Sequence, residues 1–304
     1  MRIIFMGTPD FAVASLRALL EAGEDVVAVV TGEDKPAGRG QKMHESAVKK
    51  YAVEKNIPVL QPSKLKSTAF IEELASYAAD LQVVVAFRML PEAVWNMPPL
   101  GTINVHASLL PQYRGAAPIN HAIMNGEKES GVTTFLLQHE IDTGNILFSE
   151  KVSIYETDNA GVLHDKLMDA GAHVLLKTIR AFKTNTVSPT PQSNINVNAL
   201  KTAPKIFKED CEIDWNRTTE QVYNQIRGLS PYPTAFTKLH GKSLKIFEAE
   251  KAGKITVPPG EHVTDGKTFV QYATADGSLL VKVLQLEGKK KMHVDEFLRG
   301  YRFG

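Results

Sequence analysis

The chain opens on an apolar run, Arg2-Ile-Ile-Phe-Met6, that stops at Gly7 and passes through Thr8-Pro9-Asp10 into a stretch with helical spacing. A run with no polar alternation predicts a strand buried on both faces. Thr8 can cap the helix, Pro9 suits its first position because it lacks an N–H, and Asp10 complements the dipole. The helix carries Leu16, Leu19 and Leu20 and stops at Gly23, and Val26–Val30 follows as a second strand. The unit then recurs. A helix near Ser46–Lys55 precedes a strand at Val59, and a helix over Thr68–Ala79 precedes Val83–Phe87. Gly101–His106 and Val132–Gln138 are further strands, and a long helix over Ala160–Lys183 closes the series. This alternation predicts an α/β fold with an open, mostly parallel, Rossmann-like sheet, right-handed crossovers and helices on both faces.

The pattern changes after that helix. Residues 184–204 hold Ser, Thr, Pro and Asn with little periodicity and read as a linker. Beyond it come a helix over Thr219–Gly228 and short alternating strands at Ala235–Leu239, Leu244–Ala249, Thr268–Tyr272 and Leu279–Leu286, which suggest a smaller OB-like β-barrel. The expected division is therefore a domain over 1–183, the linker, and a barrel domain over 205–304, and 304 residues suffice for two cores. With 35 Lys and Arg against 34 Asp and Glu, the chain is no strongly basic nucleic-acid binder. From Lys201 onward the balance is 17 to 13, which permits RNA contact and equally fits a solvated lysine face. One cysteine, Cys211, excludes a disulfide within the chain and a cysteine-ligated zinc site. The start lacks the layout of a secretion signal, and no stretch approaches the ~20 apolar residues of a membrane span, so a cytoplasmic protein without a membrane partner is expected.

A strand, a glycine and a helix invite a dinucleotide reading, but Gly7-Thr-Pro-Asp-Phe-Ala12 lacks the second and third glycines of that fingerprint. No P-loop is present either. The chemistry concentrates in Asn104-Val-His-Ala-Ser-Leu-Leu-Pro-Gln-Tyr-Arg-Gly-Ala-Ala-Pro118. Asn104 and His106 are two apart at the carboxyl end of a strand, so their side chains share a face at the end of an open sheet where ligands bind. An amide and an imidazole there could hold a carbonyl-type group, or form an ordinary polar strand end. Asp142, in Glu140-Ile-Asp-Thr-Gly144, could meet His106 or bond locally to the Thr143 or Gly144 N–H.

On Asn104, His106, Ser108–Pro111 and Asp142 the chain resembles the formyltransferase family built on 10-formyltetrahydrofolate. Gly7–Ala12, Pro36-Ala-Gly-Arg-Gly40, Asn104–Pro118, Ile213-Asp-Trp215 and Ile226-Arg-Gly-Leu-Ser-Pro231 narrow the likeness to members acting on methionyl initiator tRNA. The resemblance implies transfer of the donor's formyl group to the α-amino group of methionine on that tRNA, giving N-formylmethionyl-tRNA for translation initiation. It implies that Asn104 and a protonated His106 stabilise the oxyanion, that Asp142 holds the histidine and assists proton movement, and that no metal takes part. Ser108, Leu109, Leu110, Pro111, Phe87 and Met89 are the implied folate contacts. Arg39 in the Pro36–Gly40 loop is the implied contact to the tRNA acceptor end, with Lys205 and Lys208 as phosphate contacts at the start of a tRNA-binding barrel. A monomer is expected. One stretch departs from the family pattern: Ala86-Phe-Arg-Met-Leu-Pro91 lacks the usual glycine and brings Arg88 near the expected pterin pocket. A sugar-nucleotide N-formyltransferase shares the Asn–His–Asp set, and a non-catalytic RNA-binding relative would share the fold.

Overall fold

The computed structural model describes residues 1–37, 42–192 and 199–301. They fall into two compact units, Met1–Gly115 with Ser130–Val152 and His164–Thr202, and Ala116–Glu129 with Ser153–Leu163 and Ala203–Gly304. The first unit begins with β1 (Arg2–Gly7), α1 (Asp10–Glu21), β2 (Asp25–Val30), a small hairpin of β3 (Lys35–Ala37) and β4 (Lys42–His44), and α2 (Ala47–Glu54). It continues through β5 (Val59–Leu60), α3 (Thr68–Ser76), β6 (Leu81–Val85), α4 (Glu92–Trp95), β7 (Thr102–His106) and the two residues of β8 (Arg114–Gly115). After α5 (Pro118–Met124), which belongs to the second unit, come β9 (Glu129–Leu136), β10 (Ile146–Ser153) and α6 (Ala160–Lys183).

Seven strands form one sheet in the order β10-β9-β7-β6-β1-β2-β5. From β5 to β7 all pairs are parallel, and β9 joins β7 antiparallel. Alternation within each strand distributes the core. Ile4, Met6, Val30 and Val84 pack with Phe70 and Leu74 of α3 and Val94 of α4. On the opposite face α6 runs so close that a Cβ on Gly171 would stand 3.3 Å from Val105, and Thr178 meets Thr134 hydroxyl to hydroxyl at 2.7 Å. The chain order reverses between β1 and β6, so their carboxyl ends open the crevice typical of such sheets.

Local details differ from the sequence reading for stated reasons. Pro9, not Thr8, is the cap residue of α1, with ψ 174° and no side-chain cap bond. The Thr8 carbonyl instead accepts the Val48 N–H. β6 ends at Val85 rather than Phe87 because Ala86 has φ +47°, and α3 ends at Ser76 with Ala78 at φ +44°; neither backbone continues a regular element. The structure adds the β3–β4 hairpin, β10 and a C-terminal helix to the elements expected from the sequence. Arg39 lies outside the described residues.

The second unit gathers α7 (Thr219–Gly228) against an antiparallel curled sheet of β12 (Ala235–Leu239), β13 (Lys242–Ala252), β16 (Ser278–Leu286), β15 (Val270–Ala273) and β14 (His262–Thr264), in that spatial order. β11 (Thr202–Ala203) leads into this region, β17 (Met292–His293) pairs with β16, and α8 (Val294–Gly300) follows. Register shifts beside Glu248 let β13 bend, as bulges do. Trp215 stacks on Tyr272 with centroids 4.6 Å apart and donates its indole N–H to Thr237 at 3.0 Å, so Ile213-Asp-Trp215 serves the core. Among the described residues no helix is long and apolar enough to cross a membrane.

Candidate active site

β7 sits between β6 and β9 and delivers two polar side chains to one face of the sheet. Asn104 pairs with Val84 on one side and Phe135 on the other, and His106 with Thr133. Because Val84 belongs to the face covered by α3 and α4, Asn104 and His106 share that face, at the carboxyl end. Asn104 is half-buried, and its amide has no hydrogen-bond partner among the described residues. His106 is buried at 7% exposure, edge-on to Phe135.

The ring of His106 is oriented from both sides. Nε2 lies 2.9 Å from the Tyr113 carbonyl, which only accepts, so Nε2 carries a proton and donates. Nδ1 then faces Asp142 Oδ2 at 3.9 Å, beyond hydrogen-bond distance. The neutral ring therefore presents Nδ1 as its proton acceptor. Tyr113 turns its carbonyl inward from a left-handed backbone, φ +58°. Asp142 is also left-handed, φ +54°, a conformation Asp tolerates. Its Oδ2 accepts the Gly115 N–H at 2.9 Å, so the carboxylate bridges the loop after β7 to the turn between β9 and β10, in place of the local bond to Thr143 or Gly144. That turn returns so tightly that a Cβ on Gly144 would stand 1.6 Å from the Leu136 carbonyl oxygen, and only glycine fits.

A second layer fixes this geometry. Gln192 donates to the carbonyls of Asp142 (3.1 Å) and Gly144 (2.6 Å), and its own carbonyl accepts Arg114 Nε and Nη2. The Tyr113 N–H donates to the Lys201 carbonyl at 2.6 Å, and Gln112 bonds both Ala199 and Lys201. Tyr113, Gly115 and Gln192 were missed because two act through backbone atoms, and Gln192 lies in the stretch read as a linker. No side-chain pattern marks such partners.

The expected folate contacts lie in the loops that follow β6 and β7, neighbouring strands of the sheet. Ser108 and Leu110 are buried, and Leu109 and Pro111 half-buried. The Thr133 hydroxyl donates to the Ser108 carbonyl and accepts the Leu110 N–H, which sets the loop's shape. In the loop after β6, Phe87 is half-buried and Met89 is 73% exposed. Arg88 swings outward, bonds the carbonyls of Pro62 and Ser63, and lies 5.6 Å over the Phe87 ring. The departure from the family pattern thus places the guanidinium against residues 62–63. In the second unit Lys205 and Lys208 are exposed, and Lys205 lies 5.2 Å over the ring of Phe207, itself 56% exposed.

Residues 1–179 match the family described as "Formyl transferase", and residues 205–302 match "Formyl transferase, C-terminal domain". A protein of Bacteroides thetaiotaomicron named methionyl-tRNA formyltransferase is 56% identical over 99% of this chain and 96% of its own length. One of the same name from Flavobacterium johnsoniae is 48% identical over 100% and 97%. Among solved structures, HypX from Aquifex aeolicus in complex with tetrahydrofolic acid superposes with TM-score 0.66 at 22% identity, covering 99% of this chain and 48% of that one. This chain therefore spans about half the length of that protein. At that identity the likeness concerns the fold.

Proposed function

The chain belongs to the formyl transferase family, and on that premise we propose that it transfers the formyl group of 10-formyltetrahydrofolate to the α-amino group of methionine on initiator tRNA, giving N-formylmethionyl-tRNA. The acceptor follows from end-to-end likeness to relatives bearing that substrate in their name. The observation that carries the chemistry is the half-buried Asn104 amide beside a His106 whose Nε2 is committed to a carbonyl and whose Nδ1 faces Asp142. The surroundings fit a flat pterin donor: the loops at 86–90 and 107–113 border the crevice with main chain and apolar side chains, and Arg88 is tied away. The donor supplies an activated formyl carbon.

The protein's part is electrostatic and positional. As the amine nitrogen bonds to that carbon, the carbonyl oxygen gains charge, and the Asn104 amide donates to it. His106 offers Nδ1 for the proton that the amine sheds, and the Tyr113 carbonyl supports the ring as it becomes positive. Asp142 holds the crevice side of the ring while anchored by the Gly115 N–H. The proton then returns to the folate nitrogen as its bond to the formyl carbon breaks. Residues 1–183 carry this chemistry. Residues 205–304 bind the tRNA, with Lys205 and Lys208 contacting phosphates, Arg39 reaches its acceptor end, and the reaction runs in the cytoplasm.

The test is transfer of labelled formyl from 10-formyltetrahydrofolate to charged initiator tRNA, with charged elongator methionine tRNA and a UDP-amino-sugar as competing acceptors. Selective label on the initiator species is expected. Label on the sugar overturns the acceptor, and no label on any acceptor overturns the activity.

A further inference from the structure

The β3–β4 hairpin is not part of the seven-stranded sheet; among the described residues its two strands pair with each other and with no other strand. It rises from the carboxyl end of β2, the same end of the sheet that carries Asn104 and His106. Among the described residues three pairs hold it, from Ala37↔Lys42 to Lys35↔His44. Such a ribbon is marginal by itself. What anchors it lies at its feet. Thr31, fully buried, meets the Ser46 hydroxyl at 2.7 Å and closes the neck, while Ser46 also caps α2 by accepting the Lys49 N–H. Gln61 donates to the Gly32 carbonyl and to Asp34 Oδ1.

One step outside the last ladder pair, Asp34 and Glu45 stand at facing positions on the two feet. Like charges facing each other across a strand pair oppose pairing. Lys49, from α2, puts its ammonium 2.5 Å from Asp34 Oδ2 and 3.0 Å from Glu45 Oε1. Asp34 and Lys49 are both mostly covered, which limits screening. The Lys49 contact, with help from Gln61, holds the Asp34 carboxyl below its usual range, and Asp34 raises the Lys49 ammonium in turn.

We propose that Lys49 is a positioning residue for the acceptor: by bridging Asp34 and Glu45 it locks the feet of the hairpin together and fixes β3 and β4 over the catalytic end of the sheet. The inference rests on the reading that the acceptor is a charged tRNA, large enough to meet a ribbon at the carboxyl end of the sheet. The catalytic set is carried on β7 and on the loops at 107–115 and 140–144, whereas the ion-pair partners of Lys49 are Asp34 and Glu45. Loss of the bridge therefore separates acceptor binding from chemistry.

Wild type is compared with Lys49→Met, Lys49→Arg and the double variant Lys49→Met/Glu45→Gln. The readouts are KM for charged initiator tRNA, KM for 10-formyltetrahydrofolate, kcat, and the rate of tryptic cleavage within residues 35–44. Lys49→Met is expected to raise the tRNA KM and the cleavage rate about fivefold, the range for a partly covered ion pair. Donor KM and kcat should stay near wild type. Lys49→Arg should restore both affected values, and Glu45→Gln should recover part of the Lys49→Met defect by removing the repulsion. An unchanged tRNA KM, or equal loss in donor KM and kcat, overturns the proposal, as does a double variant no better than Lys49→Met. If the wild type formylates no charged tRNA, the functional reading fails by itself. Cleavage then decides the bridge: equal rates overturn it, and faster cleavage of Lys49→Met upholds it.

Discussion

His106 has one ring nitrogen bound to a main-chain carbonyl and the other pointed at a carboxylate too distant for a direct bond. In the proposed mechanism, that asymmetry gives the proton work to Nδ1 and leaves the Asn104 amide as the oxyanion donor. Each can therefore be removed separately. Asn104→Ala and His106→Ala are each expected to lower single-turnover transfer on the order of 100- to 1000-fold, with donor binding largely retained. Asp142→Asn is the sharper variant. Its side-chain oxygen can still accept the Gly115 N–H, so the turn is kept while the negative charge facing Nδ1 is lost. A normal circular dichroism spectrum with a comparable rate loss is the expected outcome, and wild-type turnover would remove Asp142 from the mechanism.

Among the elements, α7 shows how sequence signals and packing divide the work. Thr218 and Gln221 form a reciprocal capping box at its start, with the Gln221 N–H donating to the Thr218 hydroxyl at 3.3 Å and the Thr218 N–H to Gln221 Oε1 at 3.1 Å. Thr218 is exposed, so its side chain acts as a cap with little packing. Thr218→Ala is expected to lower stability by about 1 kcal/mol, read as an earlier urea midpoint with an unchanged slope. At its other end α7 passes α5 so closely that a Cβ on Gly228 would meet Met124 Cγ at 2.6 Å. Arg227 is buried and donates to Asn224 and to the Asp158 carbonyl. The Ile226–Pro231 motif, part of the family likeness, therefore holds the second unit together.

Over the whole molecule, acid stability should fall in two stages. Burial lowers the His262 pKa, so the folded state resists the proton that the unfolded state takes up below about pH 6.5. That contribution is complete above this value and declines as pH falls through it. The Asp265 carboxylate accepts the Thr268 hydroxyl and the N–H groups of Lys267, Thr268 and Phe269, and its pKa is depressed. Asp276, bonded to the Thr219 N–H and hydroxyl, is depressed likewise. Their contribution is complete above the unfolded value of about 3.9 and is lost as pH drops below it. In thermal melts, His262→Phe should flatten the decline between pH 7 and 5. Asp265→Asn should lower the melting temperature by a constant amount above about pH 5, and the gap should close in stronger acid.

From the sequence alone came whatever depends on local pattern. Strand–helix alternation determined the parallel sheet, and two-residue spacing put Asn104 and His106 on one face. The helices near Ser46–Lys55 and over Thr219–Gly228 were legible because helical spacing is a local pattern. The tertiary structure decided what joins distant backbone. It brought the Tyr113 carbonyl to Nε2, the Gly115 N–H to Asp142, and Gln192 to the Asp142 turn. Main-chain donors and acceptors are the same for nearly every residue, so no residue type announces them. It also turned Arg88 onto Pro62 and Ser63 and set Lys49 between Asp34 and Glu45. A charged side chain's partner is settled by which loops the sheet brings together, and only the folded chain contains that information.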